Sequence, residues 1–171
     1  MRTATMAPRA FTPSQSLECR PMLVSDLDRV MEAEIEIYPF PWTRANFAGS
    51  LQAGHEGWFV EPSCEAQRRE CPLVGYAMLM WAVDEVHLLN LSIAAPWQGR
   101  GLGRWLLEWL CTRSESRGAV SMLLEVRPSN PKALQLYESA AFARIGLRGA
   151  YYPAANGHRE DAIVMRRVFR K

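Results

Sequence analysis

The chain has 171 residues, 49% of them hydrophobic, a length and composition that suit one folded domain with a full core. Its formal net charge is only +2 at pH 7, so bulk charge gives no reason to expect direct nucleic-acid or membrane binding. The four cysteines and three histidines follow no metal-ligand spacing. We therefore expect reduced thiols, no metal site and a cytoplasmic protein.

The N-terminal segment differs from the rest of the chain in its lack of hydrophobic periodicity. We expect residues 1–18 to be a flexible tail and residues 19–171 to form a single domain. No hydrophobic segment of a secretory signal is visible, whereas Arg2 and Arg9 in an acid-poor start would also suit an organellar transit peptide. The flexible tail is the default interpretation, and the transit peptide stays open as the alternative.

The first half of the expected domain shows the signals of a strand, two helices and a three-stranded meander. Ser25 with Asp28 resembles a capping box at the start of the first helix, and Thr43 can cap the second. Pro39 and Pro41 separate the two helices. In chain order the prediction is strand 20–24, helix 25–37, helix 44–52, strand 58–60, polar loop 61–72, strand 73–80 and strand 85–93.

The second half of the domain alternates helices and strands. One helix is predicted to end before Gly118, and Asn130 followed by Pro131 is typical of the start of another. This order of elements predicts an α/β fold in which a mixed sheet carries helices on both faces. The remaining strands are predicted at residues 122–126, 143–147 and 162–166, with a turn-rich stretch at 151–161.

A glycine-rich turn leads directly into the first of these helices. Glycines let the backbone approach a ligand closely, and the first N–H groups of a helix have no partner within it and carry partial positive charge. A phosphate or pyrophosphate suits such a turn, although a plain loop is an equally simple interpretation. The turn consists of Gln98, Gly99, Arg100, Gly101, Leu102, Gly103 and Arg104.

Several separated blocks of the sequence resemble one superfamily, the acyl-CoA-dependent Gcn5-related N-acetyltransferases (GNAT), over about residues 19–168. Gln98, Gly101 and Gly103 match the Q/R-x-x-G-x-G/A pyrophosphate loop of that superfamily. Further blocks are similar to the bacterial ribosomal-protein alanine N-acetyltransferases: Phe40-Pro41-Trp42, Leu124-Glu125-Val126-Arg127, Ser129-Asn130, Ala133, Leu136-Tyr137-Glu138-Ser139, Tyr151-Tyr152-Pro153 and Arg159-Glu160-Asp161-Ala162.

The resemblance implies a GNAT fold with a mixed, mostly antiparallel central sheet, and acetyl-CoA as the co-substrate. It implies acetylation of a protein's N-terminal amine, typically the alanine of a small-subunit ribosomal protein. Glu125 would be the general base, and Tyr137 the general acid that protonates the CoA thiolate. A bulge near residues 90–93 would splay that strand from its parallel neighbour. The residues implied to bind acetyl-CoA are Leu91, Ser92, Ile93, Gln98, Gly99, Arg100, Gly101, Leu102, Gly103, Arg104 and Asn130.

Two aromatic, proline-containing segments are expected to form the walls of a substrate groove. Trp42, Tyr151 and Tyr152 would contact the first residues of the substrate, with Glu160 or Asp161 aiding a basic peptide. The same segments can instead cap the core.

The position of Glu125 supports a functional role independently of any resemblance. Glu125 comes near the end of an otherwise apolar strand, and the ligands of such sheets gather outside the carboxyl ends of the strands. An amine attacks a thioester only as the free base, and an α-amine with a pKa of about 7.7–8.0 loses its proton more readily than lysine at about 10.4. The alternatives are an edge charge for Glu125, a half-buried aromatic for Tyr137 and a simple helix cap for Asn130.

Two other functions stay open. A GNAT enzyme that acts on a small-molecule amine would keep the cofactor half and change the substrate loops, and a non-catalytic CoA-binding module would not need Glu125 or Tyr137. The chain departs from the family at Ala141, where a glycine usually precedes Phe142. A side chain in a left-handed helix cap costs about 1 kcal/mol, so the local geometry there is open to question.

Overall fold

The computed structural model describes residues 17–169, which form seven strands and five α-helices joined by loops and short 3-10 turns. Residues 1–16 of the predicted tail lie outside the described residues. The strands are β1 (Leu17–Pro21), β2 (Glu56–Pro62), β3 (Gly75–Ala82), β4 (Glu85–Ile93), β5 (Ser121–Val126), β6 (Ala143–Pro153) and β7 (Arg159–Val168). The helices are α1 (Leu27–Ile37), α2 (Arg44–Gln52), α3 (Glu65–Glu70), α4 (Leu102–Ser116) and α5 (Pro131–Ser139).

All seven strands belong to one sheet, in the order β1-β2-β3-β4-β5-β7-β6. Neighbouring strands are antiparallel except for β4 and β5, which are parallel. The exception follows from the connection, because a parallel pair needs a long crossover and helix α4 provides it. The predicted mixed, mostly antiparallel sheet is therefore confirmed.

The two parallel strands separate towards their carboxyl ends. Their pairing runs only from Glu85–Ser121 to Leu88–Leu124. On its other side β4 changes register, because Met78 pairs with Asn90 while Leu79 pairs with Leu88. The extra residue is a β-bulge, which bends the strand. The result is a gap between β4 and β5 at the edge of the sheet where ligands of such folds usually bind.

The core lies between the sheet and the helices that pack on it. Fully buried side chains come from α1, α2 and α4, and each buries enough apolar surface to contribute about 1.5–3 kcal/mol. They include Leu27, Phe47, Leu106, Leu107 and Leu110. Within residues 17–169 no helix is long and apolar enough to cross a membrane.

The start of the domain differs from the prediction. The strand is Leu17–Pro21 rather than 20–24, and a 3-10 turn at Val24–Asp26 leads into α1. The Asp26 carboxylate accepts the Leu23 N–H at 2.7 Å, so Asp26 rather than Ser25 fixes this turn. The Thr43 cap of α2 is confirmed, because its hydroxyl oxygen accepts the Asn46 N–H at 3.2 Å.

Two segments expected to be loops contain regular structure. The polar stretch 61–72 includes α3, which has no buried residue and so gives no hydrophobic signal. The last two strands are longer than predicted, which confines the turn between them to about Ala155–Gly157 and puts Tyr151 and Tyr152 in β6. The pairing of β6 with β7 changes register here, so that three residues of β6, Gly149–Tyr151, lie opposite the single residue Asp161 of β7. The Asp161 carboxylate accepts the Ala150 N–H at 2.8 Å.

Candidate active site

The gap between β4 and β5 is the candidate site. Leu91, Ser92 and Ile93 form its β4 side, with Ser92 and Ile93 buried and Leu91 half-buried. Glu125 lies on the β5 side, one residue beyond the last pair between the two strands. Because β4 and β5 are not hydrogen-bonded to each other here, backbone groups on both sides remain for a ligand.

The glycine turn lies at the end of β4 and begins helix α4. Gly99 and Gly101 have φ values of +73° and +79°, which glycine adopts without strain. The Trp105 N–H bonds to the Gly101 carbonyl at 3.1 Å, so the N–H groups of Leu102, Gly103 and Arg104 come before the first full helical turn. These groups form a cradle for an anion such as a pyrophosphate.

Side chains of the turn are engaged within the protein. Gln98 donates its amide to the Ile93 carbonyl at 2.9 Å, which ties the turn to the end of β4. The Arg104 guanidinium donates to the hydroxyl and carbonyl oxygens of Ser139, at 3.0 and 3.2 Å. The Arg100 guanidinium lies 5.1 Å from the centroid of the Trp97 ring. The backbone N–H groups are therefore the readier donors to a phosphate.

The Glu125 carboxylate is held in place by residues of β6. Its oxygen lies 3.0 Å from Arg148 Nε, and 23% of the Glu125 side chain is exposed. Burial, followed by the hydrogen bond to Glu125, raises the pKa of Tyr151. The Glu125 side chain is thus oriented by Arg148 and partly open to solvent.

Tyr137 is buried in the middle of α5, where its ring packs against Phe142 with centroids 5.9 Å apart. Burial raises its pKa, and the phenols of Tyr38 and Tyr152 raise it further. The hydroxyl therefore keeps its proton at neutral pH. Asn130 caps α5, because its side-chain oxygen accepts the Ala133 N–H at 3.1 Å.

The two aromatic segments expected to line a substrate groove both contact the side chain of Arg127. The Arg127 guanidinium lies 4.2 Å from the centroid of the Tyr152 ring and 5.6 Å from that of Phe40. Tyr151 and Tyr152 pack edge to face with centroids 5.0 Å apart. These contacts join β6 to the loop at residues 39–42, which we call the substrate loop.

Trp42 differs from this group, because its ring packs on the buried Phe47 with centroids 5.1 Å apart. The Trp42 ring thus fits the alternative in which this segment caps the core. Phe40, which is 40% exposed, is the aromatic side chain of the substrate loop that contacts the Arg127 guanidinium. No sequence pattern singles out Arg127, Arg148 or Phe40, although Arg127 and Phe40 fall inside the blocks that carry the resemblance.

Glu160 and Asp161, which were expected to aid a basic peptide, already have hydrogen-bond partners within the protein. Glu160 accepts the Ser129 N–H at 2.7 Å and hydroxyl at 2.9 Å, and an Arg127 N–H at 3.2 Å. Asp161 accepts the Ala150 N–H. Both carboxylates are used to hold the loops around the gap.

No cluster of three or more His, Cys, Asp or Glu side chains suited to a metal ion occurs between residues 17 and 169. Glu34, a buried carboxyl group beneath the substrate loop, was not predicted from the sequence. The helical spacing does indicate that Glu34 is buried, because Glu34 lies seven residues after Leu27 on the apolar face of α1.

Comparisons with known proteins identify the family. A family model described as the acetyltransferase (GNAT) family matches residues 27–142. The ribosomal protein bS18-alanine N-acetyltransferase of Salmonella typhimurium is 38% identical over 141 residues, which are 82% of this chain and 90% of that protein. The protein of the same name from Escherichia coli K12 is 34% identical over the same shares of both chains.

Solved structures agree with the family model. The crystal structure of the ribosomal-protein-S18-alanine N-acetyltransferase from Escherichia coli has a TM-score of 0.79 at 31% identity, over 91% of this chain and 96% of that chain. Arabidopsis thaliana NAA60 in complex with acetyl-CoA shares the fold, with a TM-score of 0.75 at 19% identity over 90% and 99% of the two chains. The chain therefore belongs to the acetyltransferase (GNAT) family and is an acetyl-CoA-dependent N-acetyltransferase.

Proposed function

We propose that the protein transfers the acetyl group of acetyl-CoA to the N-terminal α-amine of a protein, with the alanine of a small-subunit ribosomal protein as the substrate. The two bacterial relatives named for this reaction on bS18 support the proposal. The observation that carries it is the gap between β4 and β5, with the Glu125 carboxylate on one side. A ribosomal-protein substrate would place the reaction in the cytoplasm.

The substrate acetyl-CoA fits the two halves of the site. The N–H groups from Gly99 to Arg104 would bind its pyrophosphate, and the free edge of β4 at Leu91–Ile93 would bind the amides of its pantetheine arm. Asn130 would contact the cofactor while it caps α5. A backbone N–H of the splayed strand would polarise the thioester carbonyl and stabilise the negative charge of the tetrahedral intermediate.

The reaction needs one base and one acid. Glu125 would take the proton of the α-ammonium group, directly or through a water molecule, and the free amine would then attack the thioester carbonyl. The new C–N bond forms, the C–S bond breaks as the intermediate collapses, and Tyr137 would give its proton to the departing thiolate. The attacking nitrogen loses its second proton as the amide forms, and this proton would restore the Tyr137 phenol while Glu125 releases its own proton to solvent. The products are an acetylated N-terminus and CoA. Deprotonating an α-amine in place of a lysine saves roughly 3.5 kcal/mol, because the two pKa values differ by about 2.5.

The aromatic residues at the mouth of the gap would select the substrate. Tyr151 and Tyr152 would contact the first residues of the peptide, and Trp42 would hold the substrate loop against Phe47. Arg148 would keep the Glu125 carboxylate oriented until the amine arrives.

The experiment that tests this mechanism is a comparison of variants in a CoA-release assay on a peptide with a free N-terminal alanine. Glu125→Gln keeps the shape of the side chain and removes the base, so we expect kcat to fall about 10²-fold with acetyl-CoA binding unchanged. Tyr137→Phe should lower kcat less, by about tenfold, because a thiolate can leave without help.

Glu138→Gln is the matched control, because Glu138 also pairs with an arginine, Arg144 at 2.7 Å, but lies on the exposed side of α5. We expect its kcat to equal that of the wild type. A Glu125→Gln variant with the kcat of the control would exclude Glu125 as the base.

A further inference from the structure

A buried carboxyl group lies directly beneath the substrate loop. Glu34, on α1, is only 1% exposed. One carboxyl oxygen accepts the backbone N–H of Trp42 at 2.9 Å. The other accepts the hydroxyl of Tyr76, on β3, and the side-chain amide of Asn90, on β4, at 3.4 Å. The single side chain of Glu34 thus connects the substrate loop to two strands of the sheet.

The hydrogen bonds continue from Glu34 to the candidate site. The Asn90 side-chain oxygen accepts the Ser92 hydroxyl at 3.0 Å, and Ser92 shares a hydrogen bond of 2.8 Å with the Tyr38 hydroxyl. Ser92 belongs to the β4 edge that faces the gap. We call Glu34, Tyr38, Tyr76, Asn90 and Ser92 the Glu34 cluster. It joins the end of α1, β3 and β4 at the base of the substrate loop.

The substrate loop offers few main-chain hydrogen-bond donors that could anchor it. Pro39 and Pro41 have no N–H, so only Phe40 and Trp42 can donate from residues 39–42. The Trp42 N–H donates a hydrogen bond to the Glu34 carboxyl group. This hydrogen bond links the main chain of the loop through Glu34 to Tyr76 and Asn90 in the sheet, and it adds to the ring contacts of Trp42 with Phe47 on α2 and of Phe40 with Arg127.

Burying a carboxyl group costs free energy of folding, because the group loses its hydration and only its hydrogen bonds within the protein offset that loss. Burial raises the pKa of Glu34, and the three donors around it are neutral groups. Leu27 and Val30, on the same helix face, are fully buried apolar residues. A well-packed apolar side chain often replaces a buried charged group with no loss of stability. What the carboxyl group adds over an apolar side chain is the hydrogen bond to the substrate loop.

We propose that Glu34 is a positioning residue for the acceptor peptide: it holds the substrate loop against β3 and β4, so that the peptide-binding wall keeps a fixed distance from the acetyl-CoA edge of β4. The proposal rests on the proposed function, because it takes a peptide as the acceptor. Loss of Glu34 then weakens peptide binding and leaves acetyl-CoA binding, which depends on the backbone of the glycine turn and of β4, nearly unchanged.

The test compares three variants by steady-state kinetics and by titration with acetyl-CoA. Glu34→Leu removes every acceptor, and we expect the KM for the peptide to rise about tenfold, as for a lost hydrogen bond to a buried group, with the Kd for acetyl-CoA within twofold of the wild type. Glu34→Gln keeps one oxygen for the Trp42 N–H, and we expect it to restore the peptide KM to within about threefold. Glu36→Leu, the same change on the exposed face of α1, is the matched control with wild-type values.

A second measurement tests the hydrogen bond between the Trp42 N–H and Glu34 without an activity assay. Hydrogen exchange of the Trp42 amide, followed by NMR, should be at least about tenfold faster in Glu34→Leu than in the wild type, and close to wild type in Glu34→Gln. If Glu34→Leu fails to fold, Glu34→Asp replaces it, because the shorter side chain cannot reach the Trp42 N–H and the Tyr76 hydroxyl together.

Unchanged Trp42 exchange, an unchanged peptide KM, or a peptide KM and an acetyl-CoA Kd that rise together would each overturn the proposal. If the wild-type protein acetylates no peptide but exchange of the Trp42 amide is still faster in Glu34→Leu, the proposed function is contradicted. The hydrogen bond between Glu34 and the substrate loop would then stand as a structural feature. The two failures are therefore distinguishable.

Discussion

At the scale of single residues, Ala141 combines a side chain with a backbone conformation that favours glycine. It follows α5 with a φ of +63°. We expect Ala141→Gly to raise the free energy of unfolding by about 0.5–1 kcal/mol, because the relieved strain exceeds the added entropy of the unfolded chain. Ala53→Gly is the control, since Ala53 ends α2 with a φ of −73° and should lose stability. Urea unfolding measures both, and a loss in both variants would contradict the strain at Ala141.

The pH dependence of the reaction is also set by single groups. We expect kcat/KM for a peptide with a free N-terminus to rise up to about pH 8, where the α-amine loses its proton. It should then stay level to about pH 10, because burial raises the pKa of Tyr137 above its ordinary value and the acid stays protonated. A pH–rate profile with a fall beginning below pH 9 would show that another group is the acid.

Some candidate site residues stand out in the sequence because their signal is local. Glu125 stands out as a charge at the end of an apolar strand, and the glycine turn by its composition. Glu34 interrupts the apolar face of α1, but its partners are Trp42, Tyr76 and Asn90, and Asn90 is 56 residues away in sequence. Nothing in the spacing of residues shows that these groups meet.

At the scale of elements, an ion-pair network fixes β1 to the start of α1. The Arg20 guanidinium bonds both oxygens of Asp26 at 2.7 and 2.8 Å, and lies 3.4 Å from Glu61. Asp26 and Glu61 are only 7% and 6% exposed. Arg20→Ala leaves these carboxylates without that partner, so we expect the free energy of unfolding to fall by about 3 kcal/mol in chemical denaturation. Arg44→Ala breaks an exposed pair with Asp28 and should cost less than about 1 kcal/mol; equal losses would contradict the role of burial.

Elements with a buried face were predictable, and elements without one were not. The strand Glu85–Ile93 and the helix Arg44–Gln52 appear at the predicted positions, because apolar residues or a cap mark them. Helix α3 has no buried side chain and depends on polar contacts, such as Arg68 to Glu61 at 3.1 Å and Arg69 to Glu65 at 2.7 Å. Most of β6 is exposed, so its pairing with β7 defines it rather than its composition.

At the scale of the whole molecule, the order of helices and strands was enough to predict a mixed sheet, but not the gap that makes the site. The gap depends on the register change between Met78 and Leu79 and on the early end of the β4–β5 pairing. A bulge and the end of a strand pairing depend on contacts between neighbouring strands, which the sequence of one strand does not show. The candidate site therefore depends on a feature of the assembled sheet.

The measurement that tests the central claim most directly is acetylation of two peptides that begin with Ala-Arg. One has a free N-terminus, and the other has a blocked N-terminus and carries a lysine. Each is incubated with the protein and acetyl-CoA, and mass gain and free CoA thiol are followed. We predict that only the peptide with the free N-terminus gains one acetyl group, and that this gain is lost in Glu125→Gln. Acetylation of the blocked peptide at lysine, or acetyl-CoA binding with neither peptide modified, would contradict N-terminal acetylation as the function.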